Sequence, residues 1–502
     1  MGVTADVIVV GGGASGAVLA RRLAEDHDVA VLLVEAGPSD EGREDILGMR
    51  DWFALLDDEA TSVPYPIEPQ PQANSGLVHS RARVLGGCSS HNAGIALRAP
   101  DTDLDPWAAV AGPGWGPDGT AAAWDRVFAT VSVNPPSTRN PLAVAVVEAG
   151  AQIGLPLIEH WDRRVPSGIG WLPLSARDGR RQSSSVAYLH PLAALPENLT
   201  VLTDTPVQRI ELDETGAAIG VLTARGLHRA RHEIIVCAGA FETPKLLLLS
   251  GIGPADELRR HGLPVRVDLP GVGEHLLDHP EAIVTWSASR AVADEGDQFW
   301  EVALFAQVSR GLSMSHVGMK PVVPLGYEQP VHGLSIIPNA ARPRSQGRVS
   351  LRSGNPDDLP RVDPAYLTDA GGDDLAVLID AVRLARELGA APALASWLDR
   401  EVAPGPGCLT DAELERYVRA TLATVHHPAG TARMGDPADE SAVVDPELRV
   451  RGVDRLRVAD ASIFPELTSV NPCLTCMMVG ERAAELIAGA LRASGPAVAA
   501  PQ

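Results

Sequence analysis

The chain of 502 residues has few aromatic residues, few cysteines and no long apolar segment. Basic residues are scarce relative to acidic ones, with 42 Lys and Arg against 64 Asp and Glu, and the formal net charge is −22. Nucleic acids and anionic membranes attract basic surfaces, so this charge argues against either as a partner. No stretch approaches the roughly 18 consecutive apolar residues of a membrane span, and we expect a protein that does not cross a bilayer.

The cysteines indicate a reducing compartment. They are sparse and odd in number, and the N-terminal segment has no basic region of the kind that opens a secretory signal. We therefore expect reduced thiols, no disulfide bonds and a cytoplasmic protein. The five positions are Cys88, Cys237, Cys408, Cys473 and Cys476.

Two short patterns invite other interpretations. Cys473 and Cys476 have the spacing of a redox motif, but they lack the context of a thioredoxin-like motif, so we interpret them as structural thiols. His275 and His279 lie four residues apart with Asp278 beside them, as in some metal sites. Because no third ligand and no helical context accompany them, we expect no metal.

The length predicts two to four structural units and a core large enough to house a big cofactor. Alternating patterns predict strands within residues 199–212 and 219–236. A 3.6-residue period predicts a helix over residues 374–389, with Gly389 as its C-cap. No repeat of 20–50 residues is visible, which argues against solenoids and propellers.

The clearest unit lies in residues 6–37, where an apolar strand, a glycine cluster, a helix and a second strand follow one another. In the pattern Gly11-x-Gly13-x-x-Gly16 the first glycine permits a tight turn, the second lets the backbone approach a pyrophosphate, and the third lets helix and strand pack closely. Glu35 ends the second strand, where an acidic residue accepts hydrogen bonds from a ribose. The unit predicts dinucleotide binding without distinguishing FAD from NAD.

Further segments resemble the signatures of the glucose–methanol–choline (GMC) family of flavin oxidoreductases. They are residues 80–92 (SRARVLGGCSSHN), 239–254 (GAFETPKLLLLSGIGP), 427–435 (HPAGTARMG) and 460–465 (DASIFP), with Asn471-Pro472 after them. Their order and spacing also match, and the resemblance extends over residues 5–490. Within the family, the choline-oxidising members are most similar, on the segments 86–92, 64–70, 299–301 and 470–472.

The resemblance implies an α/β fold, in which a doubly wound, Rossmann-like FAD-binding domain is interleaved with an α+β substrate domain that has an antiparallel sheet. We expect the FAD-binding domain in residues 1–148, 190–290 and 424–492, the substrate domain in 149–189 and 291–423, and a disordered tail in 493–502. The residues expected to bind FAD are Gly11, Gly13, Ala14, Ser15, Gly16, Glu35, Arg83, Gly86, Gly87, Ser90, His91, Asn92, Val207, Asp460, Ala461, Asn471 and Pro472.

His91 matches the position at which choline-oxidising members link the flavin covalently through a histidine nitrogen. The resemblance therefore implies a covalent FAD. A histidine beside a glycine turn can equally lie unlinked against the isoalloxazine ring, and that alternative stays open.

The resemblance also assigns the chemistry, which is oxidation of a primary alcohol to the aldehyde, with the hydride going to flavin N5 and the proton to a histidine. Histidine suits the role because its ordinary pKa lies near neutrality. His427, directly before the Pro-x-Gly-Thr segment, is the expected base. Asn471 occupies the place of a second catalytic group and would orient the alcohol, since an amide cannot exchange a proton. Onward oxidation to the acid is left open.

Four residues are expected to contact the substrate. The resemblance matches Glu301 to a carboxylate that faces the trimethylammonium group of choline, Trp52 to one wall of an aromatic cage around that cation, and Val425 to a valine beside the flavin. His426 replaces a tyrosine of the cage. A second active-site histidine is expected in the segment between Val317 and Pro338, but that segment is short and offers no position for it.

The leading substrate is thus choline or a similar small alcohol, with O₂ or another electron acceptor as the second partner. The alternatives are a GMC dehydrogenase or oxidase for neutral aliphatic or aryl alcohols, and a hydroxynitrile lyase of the same fold. A homodimer is compatible with the sequence, which does not determine the oligomeric state.

Overall fold

The computed structural model describes residues 2–26, 28–137, 139–165, 167–294 and 296–494. A disordered tail was predicted for residues 493–502. Residues 493 and 494 are instead the last two residues of a helix, and residues 495–502 lie outside the described residues. The helices are Gly16–Leu23, Glu44–Leu47, Asp101–Ala111, Ala121–Thr130, Pro141–Gln152, Ser184–Tyr188, Gly239–Leu249, Ala255–Arg260, Asp373–Gly389, Asp411–Thr421 and Cys473–Ser494. Short 3₁₀ helices cover Trp52–Asp57, Gly87–Ser90, Pro113–Trp115, Leu192–Ala194, Pro392–Leu394 and Ala461–Ile463.

The first large sheet is mixed. Its strands lie in the order Val207–Leu212, Ala218–Thr223, Gly226–Val236, Thr4–Val10, Val31–Val34 and Leu199–Leu202, with Leu456–Val458 paired to Gly226–Val236. The pairs that involve Thr4–Val10 are parallel. The end of that strand and all of Val31–Val34 are buried continuous apolar runs, as expected for parallel strands covered on both faces. The helices Gly16–Leu23 and Cys473–Ser494 pack against each other beside them.

The second large sheet is antiparallel. Its strands lie in the order Leu398–Ala403, Val284–Ala288, Gly333–Ala340, Leu312–Gly318, Trp300–Gln307 and Gly168–Trp171. The short strand Pro280–Glu281 joins Gly333–Ala340 to Ala423–Thr424. The helices Asp373–Gly389 and Pro141–Gln152 pack on this sheet. The predicted fold class, a doubly wound unit combined with an antiparallel sheet, is confirmed.

Smaller pairings complete the described structure. They join Ser62–Pro66 with Val78–Ala82, Ile252–Gly253 with Val267–Asp268, Arg348–Ser350 with Arg361–Asp363, and Val133–Asn134 with Leu174–Arg177 and then Arg180–Arg181. In the part of the chain that the structure describes, no helix has both the length and the apolarity of a bilayer span.

The sheets bear on the expected domain division, which stays a prediction. Strand Val284–Ala288 belongs to the antiparallel sheet although it precedes the boundary predicted at residue 290. Helix Pro141–Gln152 crosses the boundary predicted at residue 148 and packs on the same sheet.

Gly389 is not the predicted C-cap, because it is the last helical residue and Ala390 caps the helix. A Cβ on Gly389 would lie 2.5 Å from the Trp286 ring, so glycine serves close packing there.

A buried carboxylate fastens the C-terminal helix to the mixed sheet unit. Glu481 is 1% exposed, and its two oxygens accept hydrogen bonds from the Nε atoms of Arg22 and Arg126, each at 2.9 Å, and from the Tyr188 hydroxyl at 2.9 Å. These partners come from three different helices. The arrangement holds the start of helix Cys473–Ser494 in place, and that start lines the cavity described below.

We expect Glu481→Gln to lower the free energy of unfolding by about 3 kcal/mol, because it leaves two arginines short of a buried counter-charge. Urea denaturation of both proteins measures the difference. Glu485→Gln is the matched control on the same helix: its carboxylate is one third exposed and should cost less than about 1 kcal/mol. Equal losses in the two variants would contradict the anchoring role of Glu481.

Candidate active site

A cavity of about 720 Å³ lies between the two large sheets. One wall is formed where three parallel strands of the mixed sheet end, at Gly11, Glu35 and Cys237. The opposite wall comes from the antiparallel sheet, through Trp300 and His316 among others. The carboxyl ends of parallel strands are where doubly wound sheets bind their ligands, and the volume is typical of such sites.

The glycine turn leaves room for a phosphate. A Cβ on Gly13 would meet only Gly87, at 3.8 Å, so the backbone of Gly13 is open on its cavity side. Gly11 and Gly87 have φ of +97° and +53°, a left-handed backbone that favours glycine. A Cβ on Gly16 would lie 1.9 Å from the Gly11 carbonyl oxygen, so this residue packs the helix on the strand. The three glycines thus occupy the places that the motif predicts.

Glu35 lies at the ribose position of the predicted fold. Its Oε2 accepts the Gly12 amide at 2.7 Å and its Oε1 accepts the Gly37 amide at 2.8 Å. Burial raises the pKa of Glu35, and these amide groups oppose the rise. Each oxygen keeps a further lone pair, which suits hydroxyl donors of a ribose.

Most of the residues predicted to bind the cofactor line the cavity, and three do not. The residues in its wall are Gly11, Gly13, Ala14, Ser15, Glu35, Arg83, Gly87, His91, Asn92, Val207, Asp460, Ala461, Asn471 and Pro472. Gly16, Gly86 and Ser90 lie behind the wall. The Gly86 amide donates to the Gly12 carbonyl, and the Ser90 hydroxyl donates to the Leu85 carbonyl, so both shape the turns that carry the lining residues.

His91 is a buried imidazole in the cavity wall whose two nitrogens have no hydrogen-bond partner among the residues that the structure describes. Burial, and then the positive charges of Arg81 and Arg181, lower its pKa to about 3, so the ring is neutral. The fully buried Arg181 holds the surrounding turn by donating to the carbonyls of Ser89 at 3.2 Å and Asn92 at 2.6 Å. Buried polar groups normally have a partner. A bound flavin in contact with this neutral imidazole would be the partner that the protein does not provide.

A chain of hydrogen bonds determines where the protons of the catalytic candidates lie. His279 Nε2 is 3.1 Å from the carbonyl oxygen of Ala341, and His279 Nδ1 is 2.9 Å from Nδ1 of His427. Burial lowers the pKa of His279 to about 4, so the ring is neutral. A carbonyl only accepts, so the single proton of His279 lies on Nε2 and its Nδ1 is an acceptor. His427 must therefore donate from Nδ1, which leaves a lone pair on its Nε2.

Asn471 continues the chain from His427. Its side-chain nitrogen is 3.2 Å from His427 Nε2, and its Oδ1 is 3.3 Å from His316 Nε2. Since His427 Nε2 carries no proton, the Asn471 amide donates to it and accepts from His316. The cavity wall thus presents a basic lone pair next to an amide donor. A hydroxyl placed there meets a proton acceptor and a donor for the oxyanion that forms.

Asp278 is the buried charge behind these histidines. Its Oδ1 accepts the backbone amides of His279 at 2.9 Å and His427 at 2.8 Å, and its Oδ2 accepts the hydroxyls of Tyr366 and Thr424, each at 2.5 Å. Burial alone would raise the pKa of Asp278, but His79, and then the hydroxyls of Thr424 and Tyr366, hold the pKa below its ordinary value. The carboxylate therefore stays ionised within a dry protein interior.

His426 belongs to a second pair of histidines. His79 Nε2 lies 3.3 Å from Oδ2 of Asp278, and His79 Nδ1 lies 3.3 Å from Nδ1 of His426. His426 has a left-handed backbone, with φ of +63°, and its carbonyl accepts a hydrogen bond from Arg81 at 2.8 Å. Its ring is thus directed toward His79, away from the hydrogen-bond chain of His427.

The structure places Glu301 away from the large cavity, contrary to its expected contact with the substrate. The register of the strand shifts between Trp300 and Val302, which interrupts the regular alternation of side chains, and Trp300 lines the large cavity whereas Glu301 lines a separate cavity of about 140 Å³. There Glu301 accepts the Asn140 amide at 2.9 Å. The other three expected substrate contacts, Trp52, Val425 and His426, do line the large cavity.

Glu281 is the carboxylate that lines the cavity in the antiparallel sheet, and the sequence interpretation missed it. Burial, and then the charge of Asp278, raise its pKa to about 8. The sequence contained an indication of this position, because Glu281 is a single charged residue between Pro280 and an apolar run. The second histidine was also missed: it is His316, just before the segment in which it was sought. Only the packing of strand Leu312–Gly318 against the turn before helix Cys473–Ser494 brings His316 to Asn471.

Comparison with known proteins agrees with this architecture. Models of the family described as GMC oxidoreductase match residues 5–281 and 343–480. Choline oxidase from Arthrobacter globiformis is 43% identical to the chain, over 97% of the chain and 94% of the relative. Human mitochondrial choline dehydrogenase is 33% identical over 96% of the chain and 89% of the relative. The structure of pyridoxine 4-oxidase from Mesorbium loti superposes with a TM-score of 0.89 at 30% identity, covering 97% of this chain and 99% of the other.

The buried histidines predict a pH-dependent stability that one variant isolates. Burial lowers the pKa of His316 to about 4, below the roughly 6.5 of an unfolded chain. Between these values the unfolded state binds the extra proton, so His316 stabilises less as the pH falls. Relative to wild type, His316→Gln should gain up to about 1.4 kcal/mol in the free energy of unfolding per pH unit between pH 6.5 and 4.

Urea denaturation at several pH values measures that difference. The control is His160→Gln at an exposed position, whose difference from wild type should not vary with pH. A flat difference for His316→Gln would show that this imidazole is not held neutral by burial.

Proposed function

The chain belongs to the GMC oxidoreductase family, and on that premise we propose that it oxidises a small cationic primary alcohol, with choline as the leading substrate. The predicted family and FAD as the cofactor are confirmed, and the protein is a flavoenzyme that oxidises alcohols. The observation that carries the choice of substrate is a buried carboxylate, Glu281, in the same cavity as two tryptophans and the His427–Asn471 pair.

His427 is the proposed base. A bound alcohol replaces His427 Nε2 as the acceptor of the Asn471 amide, so that the Nε2 lone pair takes the hydroxyl proton and the Asn471 side-chain nitrogen donates to the oxygen that becomes negative. Burial lowers the pKa of His427, whereas the nearby Asp278 charge raises it and so stabilises the imidazolium that forms. Bound FAD supplies the acceptor for the hydride that leaves the alcohol carbon.

Part of the cavity suits a cation. The suited part is the wall that Glu281 and the rings of Trp52 and Trp300 contribute to the same cavity as His427, and desolvated cation–π contacts contribute about 2 kcal/mol. Trp52 is held by stacking on Phe299, with ring centroids 5.6 Å apart and planes 17° apart. A quaternary ammonium group between these walls would meet a carboxylate in a dry environment, where attraction is stronger than in water.

The electron acceptor, the assembly and the location of the protein are further proposals. The two relatives named as oxidases support O₂, and the choline dehydrogenase supports another acceptor, so peroxide release measured beside dye reduction decides between them. The sparse, free thiols support a cytoplasmic location. A homodimer is compatible with the family and is tested by light scattering.

The role of the base predicts that His427→Ala lowers the rate of flavin reduction by a factor of about 10² to 10⁴. Stopped-flow reduction under anaerobic conditions measures this rate. The loss should shrink at high pH, where hydroxide removes the proton. His426→Ala is the control and should cost far less, and an equal loss in both variants would defeat the assignment to His427.

The cation site predicts that choline exceeds its neutral isostere 3,3-dimethylbutanol in kcat/KM. Because the pKa of Glu281 is about 8 and a cation favours the ionised carboxylate, the preference for choline should grow as the pH rises toward 9. Glu281→Gln should abolish most of the preference.

Glu301→Gln is the matched control and should leave the preference intact, since Glu301 lines the separate cavity. If wild type prefers the neutral alcohol at every pH, the cationic substrate is wrong and a neutral aliphatic or aryl alcohol replaces it.

The unpartnered imidazole predicts a covalent flavin. After acid precipitation the yellow colour should stay with wild-type protein and pass into the supernatant of His91→Ala. Absorbance of the two fractions measures this. Complete release from wild type would leave His91 as a non-covalent neighbour of the ring.

A further inference from the structure

Four thiols that alcohol oxidation does not use line the large cavity. They belong to Cys88, Cys237, Cys473 and Cys476, and all are free. Cys473 and Cys476 lie in the first turn of helix Cys473–Ser494, directly after Asn471 and Pro472. The sequence interpretation set this pair aside as structural, because its spacing lacked a recognisable context. The structure supplies one, since both thiols lie at a helix N-terminus in the wall of a redox cofactor site.

The geometry of a helical turn brings the two side chains close. Residues three apart lie on one helix face with their Cβ atoms about 5–6 Å apart. A disulfide needs Cβ atoms about 3.5–4.5 Å apart, so the turn must tighten by one or two ångström. The first turn is the place where this is easiest, because its first amide groups have no helical partner. The Cys476 amide donates to the Pro472 carbonyl at 2.9 Å, and this is the main backbone hydrogen bond that tightening of the turn would disturb.

The surroundings distinguish the two thiols. Burial raises the pKa of Cys473 to about 11, opposed by a hydrogen bond with Asn92 and by the positive charge of Arg181. Burial raises the pKa of Cys476 well above its ordinary value, and a neighbouring thiolate on Cys473 would raise it further. The charge of Arg81 opposes the rise in the pKa of both thiols, whereas Cys473 also has Arg181 beside it, and Cys476 lies one turn deeper in the helix.

We propose that Cys473 and Cys476 form a dithiol that hydrogen peroxide oxidises to a disulfide. The Cys473 thiolate attacks one peroxide oxygen, the O–O bond breaks, and the sulfur becomes a sulfenic acid while hydroxide leaves and takes up a proton as water. The Cys476 thiol then attacks that sulfur, forming the S–S bond and releasing a second water. Two thiols have lost two electrons and two protons, and one peroxide has become two waters.

This modification acts on the active site through the chain itself. Asn471 bridges His427 and His316, and it lies two residues before Cys473. Tightening the turn would move the Asn471 amide relative to His427. Displacement of a positioning group by about 1 Å can lower a rate by about 10². The dithiol therefore makes the alcohol oxidation sensitive to peroxide, and dithiothreitol should reverse the effect.

The test treats reduced holoenzyme with added hydrogen peroxide in the absence of alcohol, followed by alkylation and peptide mapping. We expect a disulfide between Cys473 and Cys476, formed faster as the pH rises. In Cys476→Ser, dimedone should label a sulfenic acid on Cys473, and Cys473→Ser should leave Cys476 reduced. Cys408 is the internal control, because it lies outside the cavity and should not join the disulfide.

Activity gives a second readout. Peroxide should lower kcat by about tenfold to a hundredfold, and dithiothreitol should restore it. The double variant Cys473→Ser/Cys476→Ser should retain its own untreated rate after the same peroxide dose. Any of three outcomes would overturn the proposal. They are a link from Cys88 to either thiol, the absence of any disulfide, and equal inactivation of the double variant. The mapping does not depend on the alcohol, so failure of the proposed substrate leaves this result unaffected.

Discussion

The buried carboxylate of Asp278 is the charge on which the geometry of the site depends. His79 Nε2 lies 3.3 Å from its Oδ2 and does most to lower its pKa. The amides of His279 and His427 and the hydroxyls of Tyr366 and Thr424 also hold it, and such neutral donors stabilise the charge without cancelling it. The same interactions fasten the strand that carries Glu281 to the turn that carries His427, so the charge that favours a protonated base also positions it.

The histidines around this charge stay neutral because they are buried. Their pKa values are lowered by the loss of water and by one another, and a fixed acceptor, the Ala341 carbonyl, determines the protons of His279, His427 and His316. A neutral cluster with defined tautomers is well suited to receive one proton. It also leaves Glu281 as the group in the cavity wall that responds to a charged ligand.

The fold and part of the site could be predicted because their signals are local. The glycine turn, its strand and helix, and Glu35 occupy one contiguous segment, and His427 and Asn471 each lie in a short motif. Glu301 was expected in the substrate cavity but lines the smaller one, because the register of its strand shifts between Trp300 and Val302, and the sequence gives no sign of that irregularity. His316 and His279 were not assigned because their partners are 155 and 148 residues away in sequence.

The hydrogen bonds of this chain all donate in one direction, from His316 toward the Ala341 carbonyl, and this limits how a proton can leave the site. A wire that conducts protons needs an outlet that can accept one, and the inner end of this wire is a backbone carbonyl, which cannot be protonated at neutral pH. The path behind His427 is a dead end. A proton taken up by His427 must leave on the side where it arrived, through the cavity, so the base is reset only when the cavity is open to water or to the next molecule.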